Sequence, residues 1–260
     1  MGKIQGGRKM KKKTHERLTN YLLLRFVVFG LLIAPLCCVK NAHAEESQPT
    51  WSISGKVGAF TPYVSEYTGE YIASGLVYQP SATLTHNPSG LYVSTLGYIT
   101  RRGVDEVDLF LGKSTELWGM TLDTGIGFYN AENMGNMNGD FFAAYVGVDF
   151  PEVIGIIPFA YIEADIPLRK EFGGGGWLWK VGVKKTILIF EQSINFKMEA
   201  GGNDGIYGSE AKLISFVRGT ASLETKLLGM KVIPSFALQR GFGGIAGDDW
   251  RGIAGLSFPF

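Results

Sequence analysis

The sequence predicts an all-β fold: a transmembrane, antiparallel, up-and-down β-barrel of about twelve strands, with ten strands as the alternative. Three observations predict it. Apolar residues alternate with small or polar ones at a period of two along most of residues 45–260. Long and short connections alternate between these segments. The segment 250–260 forms a strand with one apolar face, and 36 glycines with 10 prolines in the chain argue against long helices.

Residues 1–44 have the order of a secretory signal peptide. Residues 1–25 are basic, and residues 26–39 form an apolar run of about fourteen residues, which suits a signal-peptide core and is short for a spanning helix. An Ala-His-Ala pattern then predicts cleavage after Ala44. The mature chain, residues 45–260, is expected to be a single barrel domain.

Cleavage changes the charge and the cysteine content of the chain. Residues 45–260 hold 16 basic and 23 acidic residues, a net charge of −7, which argues against nucleic-acid binding. Both cysteines leave with the signal peptide, so no disulfide or thiolate site is expected. Lipidation at Cys37 or Cys38 is the alternative, and it is disfavoured because Leu36, which is not a small residue, precedes the first cysteine.

The alternation gives each predicted strand one apolar face and one face of Gly, Ser, Thr, Ala and single charges. The apolar face suits lipid, and the mixed face suits a crowded, wet interior. Because a lipid-facing charge costs about 2–4 kcal/mol at the membrane midplane, every charge within a strand is expected to face inward. The predicted strands are 51–62, 72–85, 90–100, 104–113, 117–129, 139–150, 155–166, 177–185, 187–199, 211–224, 229–240 and 250–260.

The connections between these strands predict the topology. The even-numbered connections are short and are expected in the periplasm; the odd-numbered ones are mostly long, polar or Gly-rich and are expected outside the cell. An even number of strands places both termini on the periplasmic side. The long connections are 63–71, 130–138, 167–176, 200–210 and 241–249, with 101–103 as a short exception, and the short ones are 86–89, 114–116, 151–154, 186 and 225–228.

Charged residues within the strands are the candidate functional groups. Glu106 with Asp108, and Glu163 with Asp165, are carboxylate pairs two residues apart, so each pair shares a strand face. Such pairs can form a glycosidase dyad or a cation site, and lining of the lumen opposite basic side chains is the preferred interpretation. The residues predicted to line the lumen are Glu106, Asp108, Asp123, Asp149, Glu163, Asp165, Lys180, Lys184, Lys197, Arg218 and Arg251.

His86 is the sole histidine of the mature chain, and it begins the turn sequence His-Asn-Pro-Ser. Outer-membrane lipid hydrolases use a His–Ser pair, so His86 with Ser89 or Ser81 is a candidate for that chemistry. A structural turn is the preferred interpretation, because a four-residue turn does not project a catalytic pair onto a lipid-facing wall. No catalytic residue is therefore predicted.

Two stretches carry a resemblance to known proteins. The alternating face of the last strand resembles the C-terminal signal by which bacterial outer-membrane β-barrels are recognised and inserted, which makes Leu256, Phe258 and Phe260 the predicted assembly signal. The segments 71–79, 88–92 and 106–112 are similar to the TorF-type family of outer-membrane porins. This resemblance implies location in the outer membrane of a Gram-negative bacterium, with outer-membrane lipid and the barrel-assembly machinery as partners.

The expected function is a small porin-like channel or transport protein for small solutes. Wide aqueous channels belong to barrels of about sixteen strands and more, so a twelve-stranded barrel should conduct weakly. The surplus of carboxylates over bases favours cations. The alternatives are a structural or adhesive barrel that binds partners through its extracellular loops and, less favoured, a membrane-embedded lipid-hydrolysing enzyme. No cofactor or metal is predicted, and the oligomeric state is left open.

Overall fold

The computed structural model describes residues 49–65, 68–131, 139–168, 175–190, 192–206 and 209–260. The predicted signal peptide, the possible lipidation sites and the cleavage point after Ala44 lie outside these residues. Nearly all of the described chain is β-strand, with one short 3-10 helix at Gly244–Ala246. Among the residues described, no helix is long and apolar enough to cross a membrane.

Fourteen strands are present in the described chain. Most are ten to sixteen residues long, and two short ones, β2 and β3, follow the first long strand. Their bounds are β1 Trp51–Thr61, β2 Tyr63–Val64, β3 Tyr71–Ala73, β4 Val77–His86, β5 Leu91–Thr100, β6 Gly103–Leu117, β7 Met120–Ala131, β8 Gly139–Asp149, β9 Ile157–Pro167, β10 Gly176–Ile189, β11 Gln192–Asn203, β12 Lys212–Leu227, β13 Met230–Gly241 and β14 Trp250–Pro259.

Twelve of these strands form a closed antiparallel barrel. Strands β4 to β14 pair with their neighbours in chain order, and β1 pairs with both β4 and β14. Closure matters because an unpaired backbone N–H or C=O in hydrocarbon costs several kcal/mol, so a membrane-spanning sheet cannot keep an open edge. The predicted all-β barrel of twelve strands is confirmed. Strands β2 and β3 form a separate two-stranded hairpin.

The barrel has two different ends. At the short-connection end, β-strands are joined by residues 87–90, 118–119, 150–156, 190–191 and 228–229. At the long-connection end they are joined by residues 62–76, 101–102, 132–138, 168–175, 204–211 and 242–249. The predicted alternation of long and short connections is present with two exceptions. The predicted short exception at 101–103 is observed as 101–102, and the connection predicted at 151–154 extends over 150–156, which is as long as 132–138.

The predicted turn at 114–116 is wrong. Strand β6 continues to Leu117, and the chain reverses at Trp118 and Gly119, whose φ angles are 54° and 77°. Two positive φ angles define a type I′ turn, which matches the twist of the flanking strands and usually carries Asn-Gly. A tryptophan at its first position gives no turn signal in the sequence, because bulky residues seldom adopt positive φ.

The predicted turn at Thr186 is wrong for the same reason. Strand β10 continues to Ile189, and the chain turns at Phe190, which has a φ of 48°. The shift moves Leu188, which the alternation had placed toward lipid, to a position opposite Ser193 on the interior face.

The two faces of the barrel otherwise follow the alternation. On β8, Phe142 and Val146 are exposed on the outside, whereas Phe141, Ala143 and Tyr145 are buried inside. The expectation that every strand charge faces inward is wrong for Lys113 and Lys185, which occupy exposed outer positions opposite Leu91 and Phe196. It is also wrong for Arg240 and Asp140, which occupy outward register positions near the long-connection end. Both lysines lie within five residues of a turn at the short-connection end, where a long side chain can carry its ammonium group to the membrane surface.

A candidate functional site in the barrel interior

The interior differs between the two halves of the barrel. Toward the long-connection end, Phe141, Leu178 and Phe216 are at most 1% exposed, and Phe141 and Leu178 share a buried cluster with Ile206 from a connection. Toward the short-connection end, the side chains of Asp149 and Lys184 remain 39% and 41% exposed. One half of the interior is therefore packed, and the other is accessible to solvent.

The connection between β1 and β4 folds into the packed half. We call residues 62–76 the inner hairpin; it contains β2 and β3, and its described part excludes residues 66 and 67. Tyr63 is 1% exposed and Val64 is 6% exposed, which is the burial of core residues and not of a solvated loop. The sequence predicted residues 63–71 as an external loop, and the adjacent apolar residues Tyr63 and Val64 were the signal that could have indicated burial.

Side chains of β12 and β13 hold one side of the inner hairpin. Arg218 donates from Nη2 to the carbonyl of Ser65 at 2.8 Å, and Gln239 donates from Nε2 to the carbonyl of Gly69 at 2.7 Å. Arg218 Nε also donates to Gln239 Oε1 at 2.9 Å. A Cβ atom on Gly69 would lie 2.6 Å from Cδ1 of Phe216, and the φ of Gly69 is +71°, so glycine is required at this crossing.

Aromatic contacts hold the remainder of the inner hairpin. Tyr63 stacks on Tyr98 of β5 with ring centroids 5.3 Å apart, and its hydroxyl hydrogen-bonds Glu106 of β6. The guanidinium of Arg251 lies 4.1 Å from the ring centroid of Tyr71, a geometry that favours cation–π attraction. The inner hairpin therefore crosses the interior from β5 and β6 to β12, β13 and β14.

Five buried carboxylates lie together in the packed half. We call Asp105, Glu106, Asp108, Glu163 and Asp165 the acidic wall. Each of them is at most 5% exposed. Glu106 and Asp108 come from β6, and Glu163 and Asp165 come from β9, so the two predicted carboxylate pairs are brought into one electrostatic neighbourhood.

Three members of the acidic wall differ in their partners. Glu163 accepts hydrogen bonds from Tyr129 Oη at 3.0 Å and from Tyr161 Oη. Asp105, which occupies a bulge in the β5–β6 pairing, contacts Arg102 at 3.2 Å. Asp108, which is 1% exposed, lies within hydrogen-bonding reach of the Glu106 carboxyl group on the same strand.

Basic side chains of β10, β11 and β12 line a further part of the interior. Lys197 contacts Glu199 at 2.7 Å, Arg218 contacts the same carboxylate at 3.8 Å, and Lys184 contacts Asp149 at 2.7 Å. Sequence reasoning did not single out Glu199. Continuing the inward face of that strand one step beyond Lys197 would have found it, because strand side chains alternate with a strict period of two.

The remaining predicted lumen residues are Asp123, Lys180 and Arg251. Asp123 accepts from Tyr92 Oη at 2.8 Å, Lys180 lies 4.8 Å from the ring centroid of Tyr161, and Arg251 contacts Asp249 at 2.6 Å. By strand register, all eleven residues occupy inward-facing positions. Asp149 and Lys184 form one of the predicted acid–base contacts. The role of the eleven residues in conduction stays a prediction.

The predicted assembly residues lie at the seam that closes the barrel. Leu256 and Phe258 of β14 pair with Ala59 and Val57 of β1. Phe260 exchanges two main-chain hydrogen bonds with Gly55, at 2.9 and 3.1 Å. These three residues are thus part of the closing strand pair, and their recognition by assembly machinery stays a prediction.

The histidine turn shows the contact expected of a structural turn. Nδ1 of His86 lies 2.7 Å from Oγ of Ser89, and the same hydroxyl accepts from the backbone N–H of Leu91 at 3.3 Å. The imidazole ring packs against Trp51 with centroids 4.7 Å apart. Ser81 occupies the inward face of the same strand, so the structure does not bring it to His86. No third side chain among the described residues completes a catalytic arrangement here.

Comparison with solved structures supports the fold. A KdgM porin in complex with disordered oligogalacturonate is similar with a TM-score of 0.51 and 8% identity, over 80% of this chain and 99% of that chain. The NanC porin is similar with a TM-score of 0.50 and 9% identity, over the same shares of the two chains. At these identities the likeness concerns the fold alone, which is that of outer-membrane porins.

Comparison of sequences adds no closer relative. No protein-family model matches the chain, and no curated protein sequence matches it. The resemblance to the TorF-type family therefore stays a prediction.

Proposed function

We propose that this protein is a small porin-like channel of the Gram-negative outer membrane, which passes small solutes and favours cations. The observation that carries the proposal is the pairing of a closed twelve-stranded porin-type barrel with a charged interior. The exposed Asp149–Lys184 pair indicates that water enters the half near the short-connection end.

The inner hairpin is the proposed constriction. It crosses the packed half and is held by Arg218 and Gln239 on one side and by Tyr98 on the other. The inner hairpin and the acidic wall meet at Tyr63 and Glu106. A solute that crosses the packed half must therefore pass beside this contact, and both groups should set the conductance. The narrow passage agrees with the small lumen of a twelve-stranded barrel. One protein with this fold was solved with oligogalacturonate, which supports passage of small hydrophilic solutes through such barrels.

Planar-bilayer recording of the refolded protein tests the proposal. We expect small conductance steps and a reversal potential that shows cation preference. Asp149→Asn should lower that preference, and Lys184→Gln should raise it, because each removes one sign of charge from the water-accessible half. Glu152→Gln, in the connection outside the barrel strands, is the matched control and should change nothing. Absence of conductance from protein with a folded-barrel electrophoretic mobility would refute the proposal.

The structural or adhesive barrel remains the second candidate, because the connections that pack the long-connection half leave other residues exposed at that end. Phe242 is 45% exposed, and Asp248 and Asp249 have side chains that are 71% and 51% exposed. A barrel that folds, reaches the outer membrane and never conducts would favour this candidate. A lipid-hydrolysis assay on the same protein tests the enzyme alternative, for which no catalytic residue is predicted.

A further inference from the structure

The outer wall of the barrel carries a furrow along β12. Its floor is formed by the small outward-facing residues Gly219 and Ala221, and a Cβ atom on Gly219 would meet nothing within 4 Å. Because β11 and β13 lie about 10 Å apart across β12, their large side chains form a ridge on each side. These ridges are Phe196 with Met198 and Phe236 with Leu238.

The furrow is part of a larger cavity on the same wall, which we call the outer cavity. It extends from the furrow over β10, where Val183 and Ile187 line it, to Ile156 in the connection before β9. Its volume is about 550 Å³, which is the size of a small-molecule site. The lining is almost entirely apolar, so a ligand that fills the outer cavity must present a hydrocarbon surface.

Lys185 places a cation beside this apolar surface. It lines the outer cavity, lies in one register row with Phe196 and Ala221, and is exposed on the outer wall. The preceding residue, Lys184, faces the interior and contacts Asp149, whereas Lys185 forms no ion pair within the described part of the chain. A charge on a lipid-facing wall is unfavourable, so Lys185 calls for an anion.

The position of Lys185 along β10 indicates which anion it can reach. The strand ends at Ile189, four residues further on, at the short-connection end. A lysine at this depth can extend its ammonium group toward the lipid headgroups, and basic residues near the membrane surface attract the anionic groups found there. The apolar cavity and the neighbouring cation therefore match the acyl chain and the phosphate of one lipid molecule.

We propose that the outer cavity binds a glycerophospholipid, with an acyl chain in the furrow over Gly219 and Ala221 and the phosphate at Lys185. A second copy of the chain fits this wall less well. In a twofold-symmetric dimer the wall would meet itself, and the outward register positions of β10 to β13 hold no carboxylate that could pair with Lys185. The lipid site does not depend on conduction and goes beyond the proposed channel function.

Native mass spectrometry of the refolded protein in detergent tests the headgroup contact. The probe is palmitoyl-oleoyl phosphatidylglycerol, compared with palmitoyl-oleoyl glycerol, which has the same chains and no phosphate, and with inorganic phosphate. We expect one phospholipid to be retained per barrel, and much weaker retention of the other two probes. Lys185→Gln should weaken phospholipid binding about fivefold. Lys113→Gln, which changes an exposed outward lysine that does not line the outer cavity, should leave binding unchanged.

Filling the furrow tests the acyl-chain contact. Ala221→Phe places a large ring between the two ridges and should weaken phospholipid binding by at least about fivefold. Ala144→Phe is the matched control, because Ala144 is an exposed outward alanine on β8, and it should leave binding unchanged. If Ala221→Phe fails to refold, Gly219→Leu is measured in its place, with the same expected loss.

Each outcome decides between the lipid and its alternatives. Equal affinity of wild-type protein, Lys185→Gln and Ala221→Phe for the phospholipid would overturn the inference, and so would equal retention of the phospholipid and the diacylglycerol. A dimer that Ala221→Phe abolishes would replace the lipid with a second copy of the chain. A barrel that conducts without retaining phospholipid refutes the site and keeps the channel, whereas one that retains it without conducting refutes the channel alone.

Discussion

Gly55 of β1 lies under the ring of Phe260, and the two residues exchange main-chain hydrogen bonds at 2.9 and 3.1 Å. A Cβ atom on Gly55 would approach Cζ of Phe260 and the carbonyl of Ser81 more closely than side-chain atoms do. This contact continues the β1–β14 pairing by one residue pair at the short-connection end. The glycine thus makes room for the aromatic side chain at the seam that closes the barrel.

Gly55→Val should therefore impair closure. The added side chain must displace Phe260 or the backbone of Ser81, and overpacking of this kind costs about 1–3 kcal/mol. We expect a smaller fraction of folded, heat-modifiable barrel after refolding in detergent. Gly219→Ala is the matched control, because a Cβ there meets nothing within 4 Å, and equal folding of the two variants would contradict the role of Gly55.

Removal of Phe260, or Phe260→Asp, should reduce assembly more strongly than Gly55→Val. Both changes remove the ring that packs on Gly55, and deletion also removes the last pair of main-chain hydrogen bonds at the seam. We expect export to the periplasm to continue while folded protein in the outer membrane falls. Immunoblots of fractionated cells with and without heating measure this, and undiminished folded protein would show that the assembly signal lies elsewhere.

Gln239→Ala should loosen the inner hairpin and increase conductance. The change leaves the buried carbonyl of Gly69 without its donor, at a cost of about 1–3 kcal/mol, and removes the acceptor of Arg218 Nε. Single-channel recordings should show larger or more frequently fluctuating steps than wild type. Ser222→Ala, an inward-facing change on the neighbouring strand, serves as the control, and identical traces for both variants would argue against the inner hairpin as the constriction.

The long-connection end should face the outside of the cell. Epitope tags inserted in 132–138, 168–175 or 242–249 should be detected on intact cells, whereas tags at 87–90 or 150–156 should be detected only after permeabilisation. The reason is that outer-membrane barrels keep short turns in the periplasm and long loops outside. The opposite labelling pattern would show that the barrel has the inverse orientation in the membrane, with its packed half toward the periplasm.

Ile154→Asn should stabilise the barrel. Ile154 has a φ of 56° and is 92% exposed at a turn of the short-connection end, so it bears backbone strain without burying its side chain. Asparagine adopts this conformation more readily, and relief of the strain should add up to about 1 kcal/mol to the unfolding free energy. Urea unfolding in detergent measures the change, and Val153→Asn, next to it and without positive φ, should give no such gain.

The sequence by itself determined the class of fold and the face to which most side chains point, and it left the number of barrel strands at about twelve or ten. These follow from local rules, because a strand alternates its faces with a period of two and lipid excludes charge from one of them. The alternation predicted the outer face of β8 and the inward positions of Asp108 and Glu163. It failed at Trp118 and Phe190, where bulky residues adopt the positive φ angles of tight turns.

Tertiary structure alone decided what fills the barrel. The sequence predicted residues 63–71 as an external loop, and the inward course of the inner hairpin depends on Arg218 and Gln239, which are more than 150 residues away along the chain. The acidic wall likewise joins β6 with β9, strands separated by two others in the sheet. Such contacts arise from closure, which brings distant inward faces together across a shared interior, and period-two alternation contains no information about which residues then meet.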